Sequence, residues 1–237
     1  MYTNNLARCI KLKRMRELIE RVKVTYPDDS FFNDLDEVFE LSSQASSQYQ
    51  AYELAFSYLD PASWQILSQK AMEHFKDHRE GQLKQGFFNQ LNEAFAYQFL
   101  VQCGYENVRV LNENGNTRPD LTYDAAGIKR YCEVKTIGLS DDEIKRYETG
   151  EAFDGTVYME LSDGFLRQLN DDLVRAHEQI TSQGSHGLVF VIVNFDDFTL
   201  TYYEQYHKQI TEFLAHHKVP EVYIKVGLLS KHEIYKK

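Results

Sequence analysis

Pro119-Asp120 and Glu133-Val134-Lys135, separated by twelve residues, are the part of this 237-residue chain whose types and spacing could do chemistry. Leu121, Tyr123 and Ala125 alternate with Thr122 and Asp124. Gly127 marks a tight turn, and Arg130 to Ile137 reads as a second extended segment. Side chains two apart on a strand share a face. Glu133 and Lys135 therefore point one way, while Cys132 and Val134 point the other. If the two segments pair as a hairpin, Asp120 comes close to Glu133. Two adjacent carboxylates repel each other unless a cation lies between them. Oxygen ligands with retained waters suit Mg²⁺ or Mn²⁺. Such an ion polarises a phosphoryl oxygen and turns bound water into a nucleophile. A lysine beside it orients that water or stabilises charge developing on the phosphate. The bare pattern also describes an ordinary half-exposed hairpin with surface charges.

The elements that must position these residues follow in order. Phe87 to Gln102 predicts a helix with Phe88, Leu91, Phe95, Phe99 and Leu100 on its apolar face, closed by Gly104. Val108 to Leu111 reads as a strand, and the two hairpin segments come next. Leu161 to Ser182 is amphipathic, with Phe165, Leu166, Leu169, Leu173, Ala176 and Ile180 on one stripe. Gly187 to Asn194 is a continuous apolar run, as in a strand covered on both faces. A helix from Tyr202 to His217 and a strand from Glu221 to Val226 complete the order. Three meandering strands followed by a crossover helix into a buried strand predict an α/β fold. It has a mixed central β-sheet flanked by helices.

Before this lies an all-helical N-terminal extension, residues 1–83, joined at Gly81 to Gly86 to a domain over 84–237. Helices are expected over 6–24, 31–58 and from Asp60-Pro61 to about 79. The first carries seven Lys/Arg between residues 1 and 23 against Glu17 and Glu20. It reads as a phosphate-contacting arm or, more simply, as a solvated amphipathic helix. His74, Asp77 and His78 fall on one side of the third. The spacing permits a metal, but no HExxH glutamate follows and the surroundings are those of a solvated face.

The element order, with the motif on the second and third strands, resembles the PD-(D/E)XK nuclease superfamily over roughly residues 84 to 226. That superfamily has the fold of type II restriction enzymes and Holliday junction resolvases. The resemblance implies a restriction-endonuclease-like αβββαβ core. It also implies metal-dependent hydrolysis of phosphodiester bonds, with DNA as the favoured nucleic acid and Mg²⁺ or Mn²⁺ as cofactor. Asp120 and Glu133 would be metal ligands, joined by the backbone carbonyl of Val134, and Lys135 would position water or charge. Glu93, on the helix before the first strand, would assist the metal. Tyr97, one turn on, would line the same cleft. On the helix after the motif, Arg167 and Gln179 are candidates near the site, and Gln179 fits an A-x-x-Q spacing with Ala176. Arg118 contacts phosphate or pairs with a neighbouring acid; the sequence does not separate the two.

Composition bounds these readings. A formal charge of −10 argues against high non-specific affinity for nucleic acid. No window is apolar and long enough to span a membrane, and the N-terminus is too charged for a signal peptide. Three cysteines without metal-ligand spacing fit a reducing cytoplasm. The acidic connection 138–160 offers a capping box, Ser140 with Glu143, and two cations, Lys145 and Arg146. Cutting both strands of a duplex with one site per chain would require a homodimer. A rival reading is a non-catalytic nuclease-fold protein that acts as a binding or assembly module through Tyr202, Tyr203 and Tyr206. A small-molecule hydrolase built on the histidine-rich segment is weaker, since no nucleophile motif accompanies it.

Overall fold

The computed structural model describes residues 12–78, 83–112, 118–138, 144, 148–149, 158–184, 186–194 and 199–237. Helices α1 (Lys13–Thr25), α2 (Leu35–Leu41), α3 (Ser43–Tyr58) and α4 (Pro61–Glu73) come first, then α5 (Gln85–Leu91) and α6 (Glu93–Gln102). Strands β1 (Glu106–Val110), β2 (Leu121–Ala125) and β3 (Ile128–Ile137) follow. Helix α7 (Asp163–Ser182), strand β4 (Gly187–Val193), helix α8 (Tyr203–His216), and strands β5 (Val222–Val226) and β6 (Glu233–Lys236) end the chain.

The six strands form one mixed sheet in sequence order. β1, β2 and β3 are an antiparallel meander, β3, β4 and β5 run parallel, and β6 returns antiparallel to β5. The β2–β3 turn is tight because Ala126 and Gly127 both take positive φ, 52° and 75°. That is the backbone a two-residue hairpin connection needs. The close β3–β4 pairing depends on Gly187, where a Cβ would stand 1.8 Å from the Tyr131 carbonyl oxygen.

Each face of the sheet has its own apolar layer. Residues of one parity (Cys132, Leu188, Phe190, Ile192) share a continuous core with α6 and with Met15, Phe56 and Leu67 of the first helices. Residues of the other parity (Ile137, Val189, Val191, Val193) pack with Leu169, Leu173 and Ala176 of α7 and with Ile210 and Leu214 of α8. β4 is buried along its whole length, as its unbroken apolar sequence predicts. The α/β architecture and the helices on both faces are therefore as the periodicity predicts.

Several boundaries differ. The helix expected over 31–58 is broken at Ser42, whose hydroxyl accepts from Ala45 N–H and caps α3. The helix from Pro61 ends at Glu73, not near 79. His74, Asp77 and His78 are therefore not on one helical face. His74 Nδ1 meets Asp77 Oδ2 at 2.6 Å, and His78 Nδ1 meets the Lys76 carbonyl at 2.8 Å. The expected helix from Phe87 is divided at Asn92, and β6 is an additional strand. The first helix is described only from Lys13. Ser140, Glu143, Lys145 and Arg146 lie outside the described residues, so the capping box does too.

Candidate functional site at the open end of strand β2

The hairpin register pairs Leu121 with Cys132, so continuing it would set Pro119 opposite Val134. Odd-numbered residues of β3 turn their peptide groups toward β4: Tyr131 N–H meets the His186 oxygen, and Ile137 O accepts from Asn194 N–H. The peptide groups of Val134 therefore face the β2 side. Proline has no N–H to donate, so the Val134 carbonyl receives no ladder bond from Pro119. The Val134 N–H is instead taken by the Asp120 carboxylate, at 2.8 Å from Oδ2. The ladder thus stops where Asp120 begins, leaving a side-chain carboxylate and a main-chain carbonyl on the same side.

Glu133 and Lys135 share a face of β3, as alternation requires. Lys135 Nζ donates to Glu133 Oε1 at 2.8 Å and to Gln179 Oε1 of α7 at 3.1 Å. Gln179 is there because Ala176 and Ile180, on either side of it, hold that turn of α7 to the sheet. Arg167 is exposed, twelve residues earlier on the same helix, about 18 Å away along its axis. Arg118 is partly exposed, two residues before Asp120. The Tyr97 hydroxyl donates to Asp60 Oδ2 at 3.1 Å, at the cap of α4. Its bond is to the helical layer.

Glu93 opens α6 and is buried. Asn92 sets its position: Asn92 Oδ1 accepts from the Tyr52 hydroxyl at 2.8 Å, and Nδ2 donates to Thr136 Oγ1 at 2.9 Å. That pins the start of α6 to β3, one residue beyond Lys135. Glu93 then pairs with a residue the motif does not contain. Lys70, on α4, donates to Glu93 Oε1 and stands 3.5 Å from Asp120 Oδ1, with its side chain 5% exposed. A sequence signal for Lys70 did exist. It is a lysine set into the inward face of α4 beside Ser63, Leu67 and Ala71, where an unpaired cation is costly.

Three carboxyls (Glu93, Asp120, Glu133) and two ammonium groups (Lys70, Lys135) thus meet at the edge of the sheet. Burial pushes the Glu133 carboxyl up to about 8; Asp120 adds to this, while Lys135 and Lys70 oppose it. Burial also drives the Glu93 carboxyl well above the usual range, against the pull of Lys70. Oε2 of Glu93 and Oε2 of Glu133 are buried without a hydrogen-bond partner. Orphaned buried carboxylate oxygens are uncommon, and each asks for a proton, a water or an ion. The donor type therefore fits a hard dication. Among the described residues, however, no group of three or more His, Cys, Asp or Glu side chains is placed to hold a metal ion.

Compared with family models, curated proteins and solved structures, the chain matches none of them. No helix among the described residues is long and apolar enough to cross a membrane.

Proposed function

We propose that this chain is a metal-dependent nuclease that hydrolyses phosphodiester bonds, with DNA as the favoured substrate, on a restriction-endonuclease-like core. The observation that carries the reading is Asp120 bound to the Val134 amide at the end of β2, beside Glu133 and Lys135. The order α6, β1–β3, α7, β4 supports it, since it reproduces αβββαβ. In this reading Asp120, Glu133, Glu93 and the Val134 carbonyl would be the ligands of Mg²⁺ or Mn²⁺. When bound, the ion would supply a Lewis acid and a water of lowered pKa. Lys135, held by Gln179, orients the attacking water and offsets charge on the phosphate. To act as a ligand Glu133 would have to be ionised, since ligating carboxylates bind in their charged form. Incubating the protein with plasmid and with single-stranded DNA, in Mg²⁺ and in EDTA, tests it. Cleavage in Mg²⁺ alone is expected, and intact DNA in both would remove the proposal.

One observation favours a second reading, a non-catalytic module on the same fold. Lys70 already stands between Glu93 and Asp120, and a buried ammonium there does some of the charge balancing that a dication would do. In that case the cluster is structural, and Mn²⁺ would leave the unfolding midpoint unchanged.

A further inference from the structure

A cavity of about 430 Å³ opens at the carboxyl ends of the parallel strands, with Thr136, Gly138, Asn194 and Leu228 at or just beyond the ends of β3, β4 and β5. In open α/β sheets this is the end at which ligands bind, and the volume lies within the range of small-ligand sites. Its walls combine two kinds of side chain. Phe31, Tyr49 and Phe88 present rings, with Phe88 edge-on to Phe31 at 6.2 Å and to Tyr49 at 6.5 Å between centroids. Gln48, Gln85, Asn89 and Asn194 present amides. None of these four side chains has a hydrogen bond within the described residues, although all are partly buried. None of the described residues lining the cavity is charged.

Each feature narrows the occupant. Ring faces suit a flat aromatic body. Unpaired amides carry donors and acceptors side by side, the pairing that reads a base edge. The missing charges disfavour a phosphate or carboxylate inside. Asn92 and Thr136 are among its lining residues; Asn92 directly precedes Glu93, while Thr136 lies on the face of β3 opposite to Lys135. The cavity therefore adjoins the start of α6, where Glu93 enters the carboxylate cluster.

We propose that this cavity holds one unstacked nucleobase of a nucleic-acid strand whose backbone runs past Asp120, Glu133 and Lys135. The strand part of the proposal rests on the nuclease reading; the base chemistry of the cavity does not. Single-stranded substrate follows, because a base paired within a duplex cannot enter such a pocket without being flipped out.

The test uses the full chain in EDTA and a short single-stranded DNA carrying one 2-aminopurine, with the four free nucleosides titrated in parallel. Binding is expected to quench the 2-aminopurine fluorescence by stacking. Phe88→Leu should weaken binding on the order of ten-fold. Gln48→Ala combined with Asn89→Ala, which leaves the aromatic layer intact, should weaken it several-fold. Both variants are checked for a wild-type circular dichroism spectrum. No quenching with wild type, or equal affinity in the amide variant, overturns the proposal. A free nucleoside that binds as tightly as the oligonucleotide also overturns it, because the cavity would then serve a soluble ligand. Cleavage in Mg²⁺ without quenching removes the base pocket and leaves the nuclease reading standing. Quenching without cleavage supports the pocket and removes that reading.

Discussion

Lys135 and Asp120 have separable jobs. Asp120 holds the hairpin end through Val134 N–H and faces the Lys70 ammonium, so Asp120→Ala should abolish both cleavage and Mn²⁺ binding. Lys135 touches Glu133 and Gln179 but bonds no Asp120 or Glu93 oxygen. Lys135→Ala should therefore abolish cleavage while Mn²⁺ still binds, as read by calorimetry. Unchanged cleavage in either variant would take away the assigned role. Glu133 gives a pH signature. Its folded carboxyl titrates near 8 against an ordinary value of 4.5, so between these pH values the native state holds a proton that the unfolded chain has lost. Stability in EDTA then falls as pH rises from about 5 to about 8, by a few kcal/mol at most. Glu93 contributes in the same direction. In Glu133→Gln the loss between pH 5.5 and 8.5, measured by urea midpoints, should be visibly smaller. An unaltered slope would mean that Glu133 is ionised throughout. Glu133, Lys135 and Asp120 were legible in the sequence because strand alternation and one turn residue suffice to place them. The burial of Lys70 had a signal in the inward face of α4, but its partners did not, because it sits 50 residues before Asp120 on another element, and no local spacing connects the two.

At the scale of elements, strands were easier to place than helix ends. β4 declares itself by seven buried apolar residues in a row, and the β2–β3 turn by its glycine. Helix breaks at Ser42 and Asn92 were hidden, since both residues lie within otherwise helical sequence. Asn92 breaks the helix where tertiary bonds to Tyr52 and Thr136 hold it. Gly187 shows how an element depends on a neighbour. Its missing Cβ lets β4 close on the Tyr131 carbonyl, and a carbonyl in a ladder cannot rotate away as a side chain tip can. Gly187→Ala should cost roughly 3 kcal/mol, at the upper end of the range for overpacking. It should also lower hydrogen-exchange protection along β3 and β4 before it affects α1 to α4. Protection lost evenly over the whole chain would argue against a local clash.

Across the whole molecule, the helical layer and the sheet share one continuous apolar core, from Met15 and Leu67 to Phe190 and Tyr223. Lys70 adds a polar tie, because it carries a charge from α4 into the cluster built on β2, β3 and α6. Removing one partner of a buried ion pair costs roughly 3–5 kcal/mol. Lys70→Met should thus destabilise the protein by about that much at pH 8.5. The loss should be smaller at pH 6, where Glu93 can take a proton in place of its partner. An equal loss at both pH values would show that the charge of Lys70 is not what matters.

The sequence alone determined the α/β class, the hairpin and the shared face of Glu133 and Lys135. These depend on periods of 2 and 3.6 residues and on turn residues, all of which are local. Only the tertiary structure decided that Glu93 and Asp120 converge on Lys70, that Tyr97 bonds to Asp60 instead, and that unpaired amides gather beside aromatic rings at the end of the sheet. Those contacts join residues tens of positions apart, so they exist only once the helical layer has packed against the sheet.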